Sequence, residues 1–217
     1  MARRTVLIKV IVSLVALGVL GVLFVRTAQN VRAEPYEIPR DRLAHWTLAL
    51  EPDSSPSGML LALRPQPELM PALFSQVFSR SGESLSGPSP AAMPLVLQSE
   101  LDRPMAATLT PESLLAVARA AGLESATFEP RCMAHRRVSE PGMTRQVFFL
   151  RFDSPVFDEF RRRASRHLRD AGGPASAFDP AALSPVLIVA ASDAAFSRWL
   201  PLKAGAEDDC LAPIALR

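Results

Sequence analysis

RQVFFLRFDSPVFDEFRRRASRH, residues 145–167, carries a strand, a turn and a helix in one reading frame. Gln146 to Phe152 is apolar with few breaks, which suits a strand buried on both faces. Ser154 and Pro155 then start a helix, a capping hydroxyl followed by a residue that fits the first turn. Phe157, Phe160, Ala164 and Leu168 recur at helical spacing and form its apolar stripe. Downstream, the run PVLIVA at 185–190 is a short strand without a polar residue. Upstream, Ala126 to Val138 reads as the hairpin partner, joined through the turn Glu140-Pro141-Gly142-Met143. On that partner strand Phe128, Cys132 and Ala134 share one side, while Arg131, His135 and Arg137 point the other way.

The same order occurs earlier in the chain. GMLLALRPQPELMPALFSQVFSR at 58–80 holds an apolar strand, an arginine (Arg64, as Arg151 in the later stretch) and a proline-started helix that stops at Gly82. A loop over 81–92 leads to a Pro-containing strand, 93–101, and residues 45–50 supply the preceding strand. Two explanations stand side by side: an internal duplication with an offset near 90 residues, or the same physics writing two strand–helix–strand units. Between the two, Thr110, Pro111 and Glu112 open a helix that Gly122 closes. The expected fold is therefore α+β, with a ferredoxin-like, split β-α-β domain following one N-terminal transmembrane helix. Right-handed crossovers would make 58–64 parallel to 94–100, and 146–152 parallel to 185–190.

The N-terminal helix is expected from TVLIKVIVSLVALGVLGVLFV, residues 5–25, apolar throughout except Lys9. About 20 such residues suffice to cross a bilayer. Arg3, Arg4 and Lys9 bias the N-terminus to the cytoplasm, so the bulk of the chain is expected outside, in a periplasm if the host is a Gram-negative bacterium. Cleavage after Val31-Arg32-Ala33 is the competing reading, opposed by the length of the apolar run and by Arg26 and Arg32. The small residues Ala16, Gly18 and Gly21 would let a second helix pack closely. The expected organisation is an anchor (1–26), a polar tether (27–43), a first β-β-α-β unit (44–108), a second α-β-β-α-β unit (109–200) and a tail (201–217).

Charge argues against nucleic acid as a partner. The whole chain has net charge +2, but residues 1–33 hold five basic residues and no acid, leaving 19 basic against 22 acidic beyond them. Cys132 and Cys210 are the only cysteines, and an oxidising exterior favours a disulfide between them over two free thiols. Cys132 and His135 have C-x-x-H spacing, but residues three apart on a strand face opposite sides, and no second ligand pair follows. GESLSG at 82–87 misses the nucleophile-elbow pattern by one residue, so Ser84 reads as loop. His45, His135 and His167 have no adjacent partner in sequence, and no phosphate loop or haem motif occurs. No catalytic residue, metal or cofactor is therefore assigned.

Arg161, Arg162, Arg166 and Arg169 form the most charged local patch, either a grip for an acidic partner or a solvated helix face. The expected role is a non-catalytic accessory or scaffolding subunit of a membrane protein complex. It would touch the bilayer through residues 5–25 and other subunits through its outer domain. An exported enzyme or ligand-binding protein with a site dispersed in sequence is the alternative.

Overall fold

The computed structural model describes residues 14–23, 34–52, 57–101, 109–174, 178–202 and 210–217. Two compact units divide the chain, Met1–Glu34 and Pro35–Arg217. In the first, residues 14–23 are helical (α1), with Leu14, Leu17 and Leu20 each more than 60% exposed.

The second unit contains β1 (Tyr36–Ile38), β2 (Thr47–Leu50), β3 (Met59–Arg64), α2 (Leu69–Ser81), β4 (Met93–Leu97), α3 (Gln98–Leu101) and α4 (Pro111–Ala120). It continues through β5 (Glu129–Glu140), β6 (Met143–Asp153), α5 (Pro155–Asp170), β7 (Val186–Ala191) and β8 (Cys210–Leu216). Local chemistry sets the helix ends. Thr110 Oγ1 accepts from Ser113 N at 3.2 Å, and Ser154 Oγ accepts from Phe157 N at 3.2 Å, each taking an N–H that the first turn leaves without a helical acceptor. Gly82 closes α2 at φ 66°, a left-handed position where a side chain would be strained.

The architecture is α+β, and it corrects the expected arrangement in two respects. First, among the described residues no helix is long and apolar enough to cross a membrane, so the transmembrane helix expected over 5–25 is not supported. Residues 5–13, 24 and 25 of the expected span lie outside the described residues.

Second, the domain is not ferredoxin-like. A curled five-stranded sheet has the order β1-β8-β5-β6-β7, and a separate three-stranded sheet has the order β2-β3-β4. The pairs expected to be parallel, β3 with β4 and β6 with β7, are antiparallel. The connection over 82–92 is long enough, roughly 35 Å when extended, to exceed the rise of about 20 Å along α2, so the order strand–helix–strand does not dictate a parallel pair here. α2 also leaves the sheet of the strands that flank it in sequence: it packs on β7 and β1, while α4 packs on β2 and β3.

Residues 36–43, read from sequence as part of a tether, form β1 and a 3₁₀ turn inside the folded unit. Tyr36 and Ile38 are buried there, and β1 runs parallel to the end of β8. The C-terminal residues are likewise a strand. β8 pairs with β5 over Cys210–Pro213 and with β1 over Ile214–Leu216, so Pro213 sits where the strand changes partners.

The five-stranded sheet is buried on both faces at its centre. Met133, Phe148, Leu150 and Leu187 face the main core, while Ala134, Val147, Phe149 and Ile188 face a smaller cluster with Trp199 and Leu202. An extra residue between Ile188 and Ala190 in β7 shifts the register there. Trp46 packs on Phe128 (4.9 Å) and Phe152 (5.7 Å) in the main core and donates its indole N–H to Leu43 O at 2.9 Å.

Candidate functional site

The hairpin of β5 and β6 outruns the described strands beside it. The two pair with each other continuously from Cys132 and Arg151 out to Glu140 and Met143. On one side β8 pairs with β5 only over Cys132–Ala134, and on the other β7 pairs with β6 only over Val147–Arg151. Residues 135–146 therefore extend past both neighbours among the described strands, apart from a backbone bond from Ser192 N to Gln146 O (2.9 Å). Gly142 turns the chain at φ 78°. At the end, Met143 is 59% and Val138 39% exposed, apolar side chains held out by a rigid ladder.

Each face of this outer half carries a polar group of residues. On the main-core face, Gln146 is buried and donates through Nε2 to Glu83 of the 82–87 loop. Its Oε1 lies 3.0 Å from His135 Nε2 and accepts from Arg137 NH2 at 3.3 Å. Arg137 also reaches Glu83 at 3.5 Å, and His135 stacks on Phe148 at 4.5 Å. With an amide oxygen opposite, His135 Nε2 carries the proton, so this nitrogen is a donor and not a base. The set is self-saturated: every polar atom named has a partner within it.

On the other face, Arg145 NH2 donates to Glu140, and Arg145 NH1 is 3.9 Å from Asp193 Oδ2. Val138, Glu140, Arg145, Arg198 and Trp199 enclose a notch of about 130 Å³. Arg198 and Trp199 come from the 3₁₀ turn Phe196–Trp199, which begins a few residues past the end of β7.

The residues singled out from sequence fall in separate places. Cys132 and Cys210 are joined, with Cα atoms 5.8 Å apart, on the sheet face away from the main core. Arg161 is not at the surface with its neighbours but fully buried. Its guanidinium donates to Glu100 from both NH1 (3.1 Å) and NH2 (2.7 Å), and to Leu95 O (3.0 Å), Asp179 O (2.5 Å) and Pro180 O (3.4 Å). All five of its N–H donors are thereby used, and Phe178 stacks on it at 4.1 Å.

Arg162, Arg166 and Arg169 are exposed. Glu159 gathers Arg163, Arg162 and Arg166 at 2.9–3.1 Å. Those hydrogen bonds, Arg163 first, hold the Glu159 carboxyl down at about 2 against an ordinary 4.5. Ala16, Gly18 and Gly21 lie on α1, and a Cβ added to either glycine would meet nothing within 4 Å. Ser84 is exposed loop, and His45 and His167 are exposed and far from one another in sequence.

Sequence reasoning missed Glu83, Gln146, Asp193 and Trp199. Glu83 and Gln146 are 63 residues apart, and nothing local marks them as partners. A polar glutamine opening the strand QVFFLRF, apolar otherwise except for Arg151, was the one available signal. Elsewhere, two hollows of about 470 and 510 Å³ flank the segment 87–90, and Met59, Ile188, Phe196 and Leu200 make the first largely apolar. Among the described residues no three His, Cys, Asp or Glu side chains group to hold a metal.

Fold and site together define a disulfide-linked, two-sheet α+β domain with an overhanging hairpin. Compared with protein-family models, curated proteins and solved structures, the chain has no match.

Proposed function

We propose that the Pro35–Arg217 unit is a non-catalytic accessory or scaffolding subunit of a membrane protein complex, working outside the cytoplasm. The carrying observation is the overhanging hairpin: residues 135–146 contribute little to either core yet present Val138 and Met143 to solvent on a stiff ladder. Such a feature suits docking, because a pre-ordered surface loses little conformational freedom on binding. The Cys132–Cys210 bond supports the location, since disulfides persist in oxidising compartments. The partners in this reading are other subunits, with lipid contact through residues 5–25; in a Gram-negative host the domain would lie in the periplasm at the inner membrane.

The test is blue-native electrophoresis of native membranes followed by mass spectrometry. Co-migration with the same partners, reduced in a Val138→Ser, Met143→Ser double variant, is the expected result. Migration of the wild-type protein only as a monomer would sink the proposal.

A second reading, an exported ligand-binding protein or enzyme, draws support from the 470 Å³ hollow, a volume in the range of small-molecule sites. Native mass spectrometry of the purified protein discriminates. A retained small molecule that is lost on Phe196→Asp favours this second reading.

A further inference from the structure

The hollow of about 470 Å³ beside 87–90 draws its walls from both sheets. Met59 of β3 and Pro94 of β4 come from the three-stranded sheet, Ile188 of β7 from the five-stranded one, and Phe196 from the 3₁₀ turn beyond β7. Pro88, Pro90 and Pro94 line it without a backbone N–H to offer. Glu51 is the one charged residue among the described residues that line it. Its side chain is only 9% exposed. Oε1 accepts from Arg64 NH2 at 2.6 Å, whereas Oε2 accepts no hydrogen bond from the described residues. Oε2 is not among the fully buried atoms that lack a partner, so this free oxygen keeps an accessible surface, and the hollow is the space its residue borders.

Charge decides what fits there. A carboxylate can only accept, so the occupant must bring a donor. Arg64 borders the second hollow and not the first, and its pairing with Glu51 is already neutral overall. An ammonium would leave a net charge among apolar walls, at a desolvation cost. An incoming carboxylate would be repelled by Glu51 and would find few donors. An uncharged hydroxyl or amide N–H avoids both penalties and gains a hydrogen bond to a charged acceptor, stronger than one between neutral groups. The rest of the molecule must be apolar, to match Met59, Ile188, Phe196 and Leu200.

We propose that this hollow binds a small apolar molecule through one uncharged hydrogen-bond donor, which Glu51 Oε2 accepts. The inference deepens the ligand-binding reading above and is independent of docking at the hairpin. Methionine methyl groups report on it in the intact, ¹³C-methyl-labelled protein. Met59 lines this hollow, and Met70 lines the second one and serves as an internal control.

Four probes share one ring and differ in one group: 4-methylbenzyl alcohol, its methyl ether, 4-methylbenzylamine and 4-methylbenzoate. The alcohol should move the Met59 signal and saturate while the Met70 signal stays. The ether, which lacks only the donor, should bind roughly tenfold more weakly, the loss expected of a hydrogen bond to a charged group. The amine should also bind more weakly than the alcohol, and the benzoate should give no saturable shift. In Glu51→Gln, the advantage of alcohol over ether should shrink. Equal binding of alcohol and ether in the wild type overturns the proposal, and so does tighter binding of the amine or the benzoate. A response at Met70 instead of Met59 overturns it as well. No saturable response to the alcohol also overturns it, while native mass spectrometry of the purified protein judges the ligand-binding reading separately.

Discussion

β2-β3-α2-β4 and β5-β6-α5-β7 follow the same order, strand, strand, helix, strand, and in both the three strands are antiparallel neighbours in chain order. They differ in what lies beyond that frame. The first has strands of 4, 6 and 5 residues, and nearly every residue of β3 and β4 is buried. The second has a hairpin of 12 and 11 residues, two added strands in β8 and β1, and a disulfide. The first unit is no longer than its core requires. The second has length to spare, and the polar groups and exposed apolar side chains of the candidate site occupy that excess. Function, in this comparison, is expected where strand length exceeds what packing uses.

The largest expected effect breaks the second unit's covalent tie. Cys132→Ala with Cys210→Ala removes a closure across 78 residues. The chain-entropy account places the loss near 4.5 kcal/mol. Urea unfolding of the variant and the wild type measures it. A loss below about 1 kcal/mol would mean that the pairing of β8 with β5 and β1 holds the strand without the bond.

Next comes the arginine pair that most separates the units. Arg161→Met leaves Glu100, whose side chain is 11% exposed, without its counter-charge, together with the Leu95 and Asp179 carbonyls. Truncating one member of a buried pair costs about 3–5 kcal/mol. Arg64→Met, whose side chain is 40% exposed and pairs with Glu51 at 2.6 Å, should cost about 1 kcal/mol or less. Equal losses in the two variants would remove the distinction drawn between the units.

Arg161 also shows where sequence is legible and where it is not. Helix starts at Thr110-Pro111 and Ser154-Pro155 are written within four residues, and the structure places α4 and α5 there. The apolar runs of β3, β4 and β7 are equally plain. Strand direction is not, because it depends on the path of 82–92 and 171–185 through space. β1 was hidden by its three-residue length after Pro35, and β8 by Pro213. By composition Arg161 groups with Arg162, Arg166 and Arg169 as one charged patch. Its spacing of four from Phe157 and three to Ala164 puts it on the buried stripe, a signal that charge composition obscured. The last residues of the strand expected over 93–101 form α3 instead, and that turn carries Glu100 to Arg161, 61 residues away, by a contact no local pattern announces. The hairpin was legible as a hairpin. Its reach past β7 was not, since that depends on where β7 stops.

A smaller effect concerns the surface of α5. The Glu159 carboxyl, held at about 2, stays ionised in the folded chain while an ordinary one at 4.5 takes up its proton. Because the folded value is the lower, its contribution is full above about pH 4.5 and is lost as pH falls toward 2. Carboxyl NMR titration should place the Glu159 midpoint near 2, rising in Arg163→Gln, whose side chain makes the largest contribution. A midpoint near 4.5 in the wild type would mean that solvent and salt screen the cluster completely.

The smallest effect on stability is expected where the comparison matters most. Met143 and Val138 lie outside both core clusters and are exposed on the part of the hairpin that, among the described residues, no other strand flanks. Their replacement by serine should shift unfolding by no more than about 0.5 kcal/mol, as for surface positions generally. Leu150→Ala, on the same strand but fully buried, should cost about 2–5 kcal/mol. Stability alone would then rank the tip as dispensable, and partner co-migration would rank it as essential. If the double serine variant instead unfolds as readily as Leu150→Ala, the outer half of the hairpin belongs to the packed core. The excess length of the second unit would then be structural. If stability and co-migration are both unchanged, docking lies elsewhere on the domain, and the two units differ in length without differing in function.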